Sequence, residues 1–275
     1  MLEPRTISVA RPPGPGPLLQ AGLEALAGML LEGRLQSAII SSRWGENSIL
    51  LGYYEPYTGG PGLVRRRITG GRSAQLGEED IYAGIVFASE SLLETAELAG
   101  RIAECSGAKA WGATRIGPRR LAAGIIEIVG ARDTGAPLEC YVSMLSTKPA
   151  LGRVSVEESA RRIARAYEDK RWAHYSGANN MPVKIVSRRG DYWVRMGFHV
   201  TRDGFIAAAR IDGVFNAAPP NEPYNLASAI VGMPANENVL MLAEHRLEKI
   251  EFYGVDREDV LGILERLVGG AGERG

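Results

Sequence analysis

Leu63-Val-Arg-Arg-Arg-Ile-Thr-Gly-Gly-Arg72 is the stretch on which the reading of this chain turns. Apolar and β-branched residues bracket three consecutive arginines, so the run reads as a strand that ends in a Gly-Gly turn. Alternation along a strand sends Arg65 and Arg67 to one face and Arg66 to the other, so the three cannot serve one site. Gly70 and Gly71 let a ligand approach the backbone closely. Exposed N–H groups in such a turn form an anion-binding nest, and arginine adds a planar fork of donors for carboxylate or phosphate. The same residues also fit a basic surface hairpin with an ordinary Gly-Gly turn, which on composition alone is the commoner outcome.

Working outward, residues 12–17 are rich in Pro and Gly, and residues 1–17 read as a flexible leading segment. Leu19, Leu23, Leu26 and Leu30 recur at helical spacing, with Gly33 as a stop. Short β-type runs follow at 37–44, 48–54, 63–69 and 82–87. Residues 90–106 form an amphipathic helix with Leu92, Leu93, Ala96, Ala99 and Ile102 on its apolar side. Strands are predicted at 124–129 and 138–145, joined by a hairpin turn within 132–137, and residues 147–153 read as a linker. Ser155 and Glu158 have the spacing of a capping box at the start of a new helix, which carries Ala160, Ile163, Ala164 and Tyr167 on one face. Strands at 183–188, 192–201 and 205–211 come next, the last two joined by an Arg202-Asp-Gly204 hairpin. Two or three helices close the chain, including residues 225–231 and 256–268.

The 275 residues suffice for one large domain or two small ones. An apolar content of 45% and a charged content of 23% are ordinary for a globular protein. The formal net charge is zero, which argues against nucleic acid as a partner. No apolar run is long enough to cross a bilayer, and the N-terminus lacks the apolar core of a secretory signal, so a cytoplasmic location is expected. The two cysteines, Cys105 and Cys140, form no CxxC pair and lie near no histidine, which disfavours zinc. They read as two buried thiols, with a disulfide expected mainly in a protein from a very hot habitat.

Arg66-Arg-Ile-Thr-Gly-Gly71 resembles the signature of the lipoate–protein ligase family: two arginines, a variable residue, Ser or Thr, then glycines. Upstream, Ser48-Ile-Leu-Leu-Gly-Tyr-Tyr-Glu-Pro56 resembles the strand and Gly-led turn that line the family's acyl pocket, placing Gly52 and Tyr53 at a ligand. Downstream, Asp80 stands at the head of a strand where the family has a Gly-Asn segment. In the second half, Arg188-Arg-Gly-Asp-Tyr-Trp-Val-Arg-Met-Gly-Phe-His-Val200, Asp203-Gly-Phe-Ile206 and Ile211-Asp-Gly-Val-Phe215 are similar to the hairpin of the family's accessory domain. The resemblance implies an α+β chain: a biotin/lipoate-ligase-like mixed sheet with flanking helices over residues 18–150, then a small α+β accessory domain over 151–275. It implies ATP-dependent activation of lipoate or octanoate to an acyl-adenylate, with Mg2+, and transfer to a lysine of a lipoyl-accepting carrier domain or a glycine-cleavage H-like protein. The first step joins two anions, so cationic donors and a metal must offset their repulsion. Arg66, Arg67, Thr69, Gly70, Gly71, Arg72, Asp80, Gly52 and Tyr53 are the implied substrate- and ATP-binding residues, and Leu50, Leu51 and Ile85 the implied walls of an acyl slot.

Five positions depart from the family pattern. Arg72 stands at the third glycine, Leu76 and Gly77 at a His-Asp pair, and Asp80 at an asparagine. In Gly117-Pro-Arg-Arg-Leu-Ala-Ala-Gly124, Arg120 stands at the lysine expected to touch carboxylate and phosphate, which makes Arg120 the candidate catalytic residue. Arginine keeps the charge there but not the shape. The chain therefore reads as an active ligase using Arg120, as a degenerate partner subunit, or as a lipoyl-binding protein without chemistry. A further reading is a cysteine-dependent octanoyl or lipoyl transferase with Cys140 as nucleophile, although no basic neighbour is seen to activate that thiol.

Overall fold

A computed structural model describes residues 4–59, 62–117, 122–168 and 173–272. In chain order the first half comprises β1 (Thr6–Arg11), α1 (Pro17–Leu31), β2 (Ser37–Arg43), β3 (Ser48–Leu51), β4 (Leu63–Arg66), β5 (Ala74–Leu76), β6 (Ile81–Ala88), α2 (Leu92–Ser106), β7 (Ala110–Ile116), β8 (Ala123–Ala131), α3 (Ala136–Ser143), β9 (Ala150–Ser155) and α4 (Glu157–Tyr167). The second half holds β10 (Val183–Arg189), β11 (Tyr192–Val200), β12 (Ile206–Val214), β13 (Asn216–Ala218), α5 (Glu222–Ala229), α6 (Glu237–Leu247), β14 (Glu251–Tyr253) and α7 (Arg257–Gly272).

The main sheet has six strands in the order β7-β8-β6-β2-β1-β9. β1 runs parallel to β2 and β9, and the other neighbours pair antiparallel. The central strand β6 shows why the sheet is buried on both faces. Ile81, Ala83, Ile85 and Phe87 join a core with α2 and Tyr141 of α3. Tyr82 and Val86, pointing the other way, join a core with Leu19, Leu23 and Leu26 of α1. A small sheet, β4-β3-β5, sits beside it and carries the arginines. The antiparallel sheet β10-β11-β12 packs under α5, α6 and α7, with Phe198, Ile211, Leu226 and Leu264 in its core. The α+β reading and the mixed sheet with flanking helices agree with this architecture.

Several expectations are corrected. The flexible leading segment contains β1, which lies inside the sheet with Ser8 opposite Ala38 and Gly152. The expected linker contains β9, the edge strand of the same sheet, and α4 buries Ala160 and Ala164 against Ala21 of α1. Residues 150–167 are thus built into the first half. The Ser155 capping box does not form: Ser155 pairs with Arg11 as the end of β9, and α4 starts without a side-chain cap. The predicted strand at 138–145 is α3. A short apolar run is ambiguous between strand and buried helix. Here Pro137 occupies the first turn, and Asp133 Oδ1 accepts from the N–H groups of Gly135 and Ala136.

The cysteines are also corrected. Cys105 at the end of α2 and Cys140 in α3 form a disulfide, with 5.9 Å between their Cα atoms. Helix formation at 136–143 turns Cys140 toward α2, a geometry that the predicted strand did not provide. The cross-link closes a sequence separation of 35 residues. Replacing both cysteines by alanine is expected to lower unfolding free energy by about 2–4 kcal/mol on loop-closure grounds. Chemical denaturation under non-reducing conditions reads this directly, and an unchanged midpoint would show that the cross-link does not stabilise the fold.

Candidate functional site

The arginine–glycine stretch lies where the small sheet meets the main one. β4 ends at Arg66, and the turn after it packs against Trp111 and Gly112 of the edge strand β7 and against Glu127 of β8. As expected, the three arginines separate. Arg65 forms an ion pair with Glu46, Nε to Oε1 at 2.9 Å. Arg66 is 1% exposed and donates to backbone carbonyls: Nη1 to Gly52, Tyr53 and Glu55 at 2.6–3.0 Å, and Nη2 to Ala173 and Tyr175 at 3.3 and 3.4 Å. Burial holds its pKa below the ordinary arginine value. This geometry makes Arg66 a clamp on the chain's own backbone rather than a contact for an external anion.

Arg67 is fully enclosed, and its Nη2 donates to the carbonyl of Arg72. Its Nε and Nη1 have no hydrogen-bond acceptor among the described residues. Burial lowers its pKa, and the negative charge of Glu127 opposes that shift most strongly. Glu127, in the middle of β8, is itself 0% exposed. Its Oε2 accepts from Thr69 N at 2.9 Å and Thr69 Oγ1 at 2.6 Å, and its Oε1 accepts from Tyr82 Oη at 2.6 Å. Burial, and then the charge of Glu127, push the Tyr82 phenol well above its usual pKa, so Tyr82 stays a donor. A carboxylate of the protein thus occupies both donors of Thr69.

The glycines are filled in the same way. Gly71 N donates to the carbonyl of Phe215 at 3.1 Å. A Cβ at Gly70 would stand 1.9 Å from that same carbonyl oxygen, and one at Gly71 would stand 2.4 Å from the carbonyl oxygen of Trp111. Glycine is needed here because three backbones converge, and a positive φ of 87° at Gly71 adds to the requirement. Gly52 lies against Gly71, and the Gly52 carbonyl accepts from Arg66. Tyr53 packs in the core of the second half; its N–H donates to Thr69 O at 2.9 Å and its hydroxyl to Asn221. Burial raises its pKa to about 12.

The remaining expected residues do not converge there. Arg72 points outward to Asp191 at 2.6 Å, with both side chains more than half exposed. Asp80 pairs with Lys109 at 2.7 Å on the wall of a cleft of mixed lining that also includes Asn47, Ile49, Gln75 and Leu76. Leu50, Leu51 and Ile85 lie in three different apolar clusters, so they do not form one acyl slot. Ile85 faces α2 across the main sheet, whereas Leu50 and Leu51 belong to the small sheet. Arg120 falls outside the described residues. Cys140 is in the disulfide, so the thioester reading loses its nucleophile. Among the described residues no three His, Cys, Asp or Glu side chains gather as a metal site.

Glu127 and Lys109 were not singled out from the sequence. Glu127 had a usable signal: it is the one charge in Gly124-Ile-Ile-Glu-Ile-Val129, and a lone charge within an apolar strand run marks a buried polar partner. Lys109 had none, since its relation to Asp80 arises from neighbouring turns at one end of the main sheet.

No protein-family model matches the chain, and no curated protein matches it. Solved structures do. P. falciparum LipL1 in complex with lipoate aligns over 96% of this chain and 99% of its own, with a TM-score of 0.60 and 8% identity. A lipoate-protein ligase A bound with ATP covers 63% of this chain and 99% of its own, with a TM-score of 0.46 and 12% identity. A bi-partite lipoate protein ligase from Thermoplasma acidophilum covers 63% of this chain and 97% of its own, with a TM-score of 0.38 and 12% identity. The LipL1 alignment shows that this chain has a lipoate-ligase-like fold over nearly its whole length.

Two outcomes follow from the geometry. Glu127→Leu strands Thr69 N, Thr69 Oγ1, Tyr82 Oη and the Arg67 charge, and is expected to destabilise the protein by about 3 kcal/mol or more in urea; a loss below about 1 kcal/mol would show that the network does not support the fold. Asp80 loses hydration through burial, but hydrogen bonds from Lys109 and Gly77 N outweigh this and hold its pKa below the usual carboxylate value. The pair therefore stabilises the fold above that usual value and ceases to do so as pH falls through the lowered one. Lys109→Met should move the Asp80 titration upward in a carboxyl-observed NMR series, and an unmoved titration would contradict the pairing.

Proposed function

We propose that this chain is a lipoate-ligase-like protein that does not itself form an acyl-adenylate and acts as a non-catalytic partner in lipoate attachment. The observation that carries this reading is Glu127, whose carboxylate accepts from both donors of Thr69 in the arginine–glycine stretch. Glu127 and Thr69 belong to the same half of the chain, so a movement of the second half would not part them. An incoming carboxylate or phosphate would have to displace a buried negative charge and face it across the site, which is unfavourable in a low-dielectric interior. Arg66, committed to backbone carbonyls, cannot offset that repulsion. Arginine in place of lysine at position 120 points the same way, since an Arg guanidinium does not reproduce a compact ammonium at a phosphate. The resemblance supplies the partner class: a lipoyl-accepting carrier domain or a glycine-cleavage H-like protein.

A second reading, an active ligase for lipoate or octanoate with ATP and Mg2+, draws on one observation. Nε and Nη1 of Arg67 are buried without acceptors among the described residues, and such a guanidinium edge suits an anion. Pyrophosphate release separates the two readings. With lipoate or octanoate, ATP, Mg2+ and an unmodified carrier domain present, the non-catalytic reading expects no acid-dependent release above a no-protein control. Acid-dependent release that disappears in Arg67→Ala would overturn it and establish the ligase.

A further inference from the structure

We propose that the second half of the chain carries a separate ligand site, a cavity between β12 and α5 that takes a small monocarboxylate with an apolar body. The cavity has a volume of about 240 Å3, and neither Thr69 nor Glu127 lines it. It is smaller than the usual 300–1,000 Å3 of a ligand pocket, so its occupant is of fragment size. Tyr175 and Tyr224 line it as an edge-to-face pair with ring centroids 5.3 Å apart. Both hydroxyls are used elsewhere: Tyr175 Oη donates to the Ile211 carbonyl at 2.9 Å, and Tyr224 Oη donates to the Tyr53 carbonyl at 3.0 Å. The two rings therefore offer the cavity only their apolar surfaces, and Ile211 and Ala227 extend that lining.

The polar groups are at the rim. Arg210 and Ser228 are exposed residues that line the cavity. Neither side chain has a hydrogen-bond or ion-pair partner among the described residues. Asp212, two positions along β12, does not compete for Arg210. It is fully buried, paired with Arg195 Nε at 2.9 Å and hydrogen-bonded by Ala178 N. One free guanidinium and one free hydroxyl above an apolar slot match a carboxylate head group on a short aliphatic or aromatic body. A neutral body would leave Arg210 unused, and a polyanion would find only one cation. The walls also lead back to the arginine–glycine stretch: Arg66 lies 5.9 Å over the Tyr175 ring. This site nevertheless stands independently of whether the chain catalyses acyl activation.

Octanoate titrated into the full-length protein, followed by calorimetry and saturation-transfer NMR, tests the site. Saturable binding of one octanoate per chain is expected. Arg210→Gln should weaken it by roughly tenfold or more, the scale of one charge-assisted contact. Ser228→Trp, at an exposed position, should block the slot and abolish binding. Octanamide, which keeps the body and lacks the charge, should bind more weakly and be indifferent to Arg210→Gln. The proposal is wrong if octanoate does not saturate, if Arg210→Gln binds it as the parent does, or if Ser228→Trp leaves binding intact.

Discussion

Glu127 sits on the central part of β8 with no solvent contact, and a carboxylate in that position is tolerable only because donors converge on it. Those donors come from two places in the chain, and a nearby positive charge adds to them. Tyr82 reaches across from β6, Thr69 contributes both its backbone N–H and its hydroxyl from the turn after β4, and the Arg67 charge lies close enough to act on it. The network ties the small arginine-bearing sheet to the main sheet at a fixed position. It also determines which way the turn faces, because Thr69 cannot direct its donors outward while bonded inward.

The second half of the chain closes on the same turn. Phe215 accepts from Gly71 N, and Asn216 Oδ1 accepts from Ala113 N at 2.9 Å on the open edge of β7. Thr114 Oγ1 donates to the Ala217 carbonyl at 2.8 Å, so an edge that would otherwise present unpaired groups is covered. Further along, Glu251 pairs with Arg115 and accepts from Leu92 N, the first residue of α2, at 2.6 Å. A carboxylate at a helix N-terminus gains from the helix dipole as well as from the hydrogen bond. The tight glycine packing at positions 70 and 71 and these cross-links form one continuous seam, which gives the Gly-Gly pair an architectural role.

Much of the fold was legible because its signals were periodic. The Leu19–Leu30 spacing, the short β-type run at 82–87 and the Asp203-Gly204 turn each have a local cause that survives folding. What failed was decided by distant partners. Residues 6–11 carry no strand signal strong enough to outweigh the prolines after them, yet they form a strand because β2 and β9 flank them. Residues 138–145 look equally suited to strand and helix until Pro137 and Asp133 start the helix. That Arg66 parts from Arg65 followed from strand alternation alone. The use of the arginines did not, because the carbonyls that hold Arg66 come from residues 52–55 and 173–175, and the carboxylate behind Arg67 comes from position 127.

The central claim is that the donors of the arginine–glycine turn belong to Glu127. It is tested most directly at one atom, the amide proton of Thr69. A non-hydrolysable acyl-adenylate analogue titrated into 15N-labelled protein should leave the Thr69 resonance unmoved, with its proton still shifted downfield by the bond to Glu127. A saturable movement of that resonance, with Glu127 released from Thr69, would contradict the account.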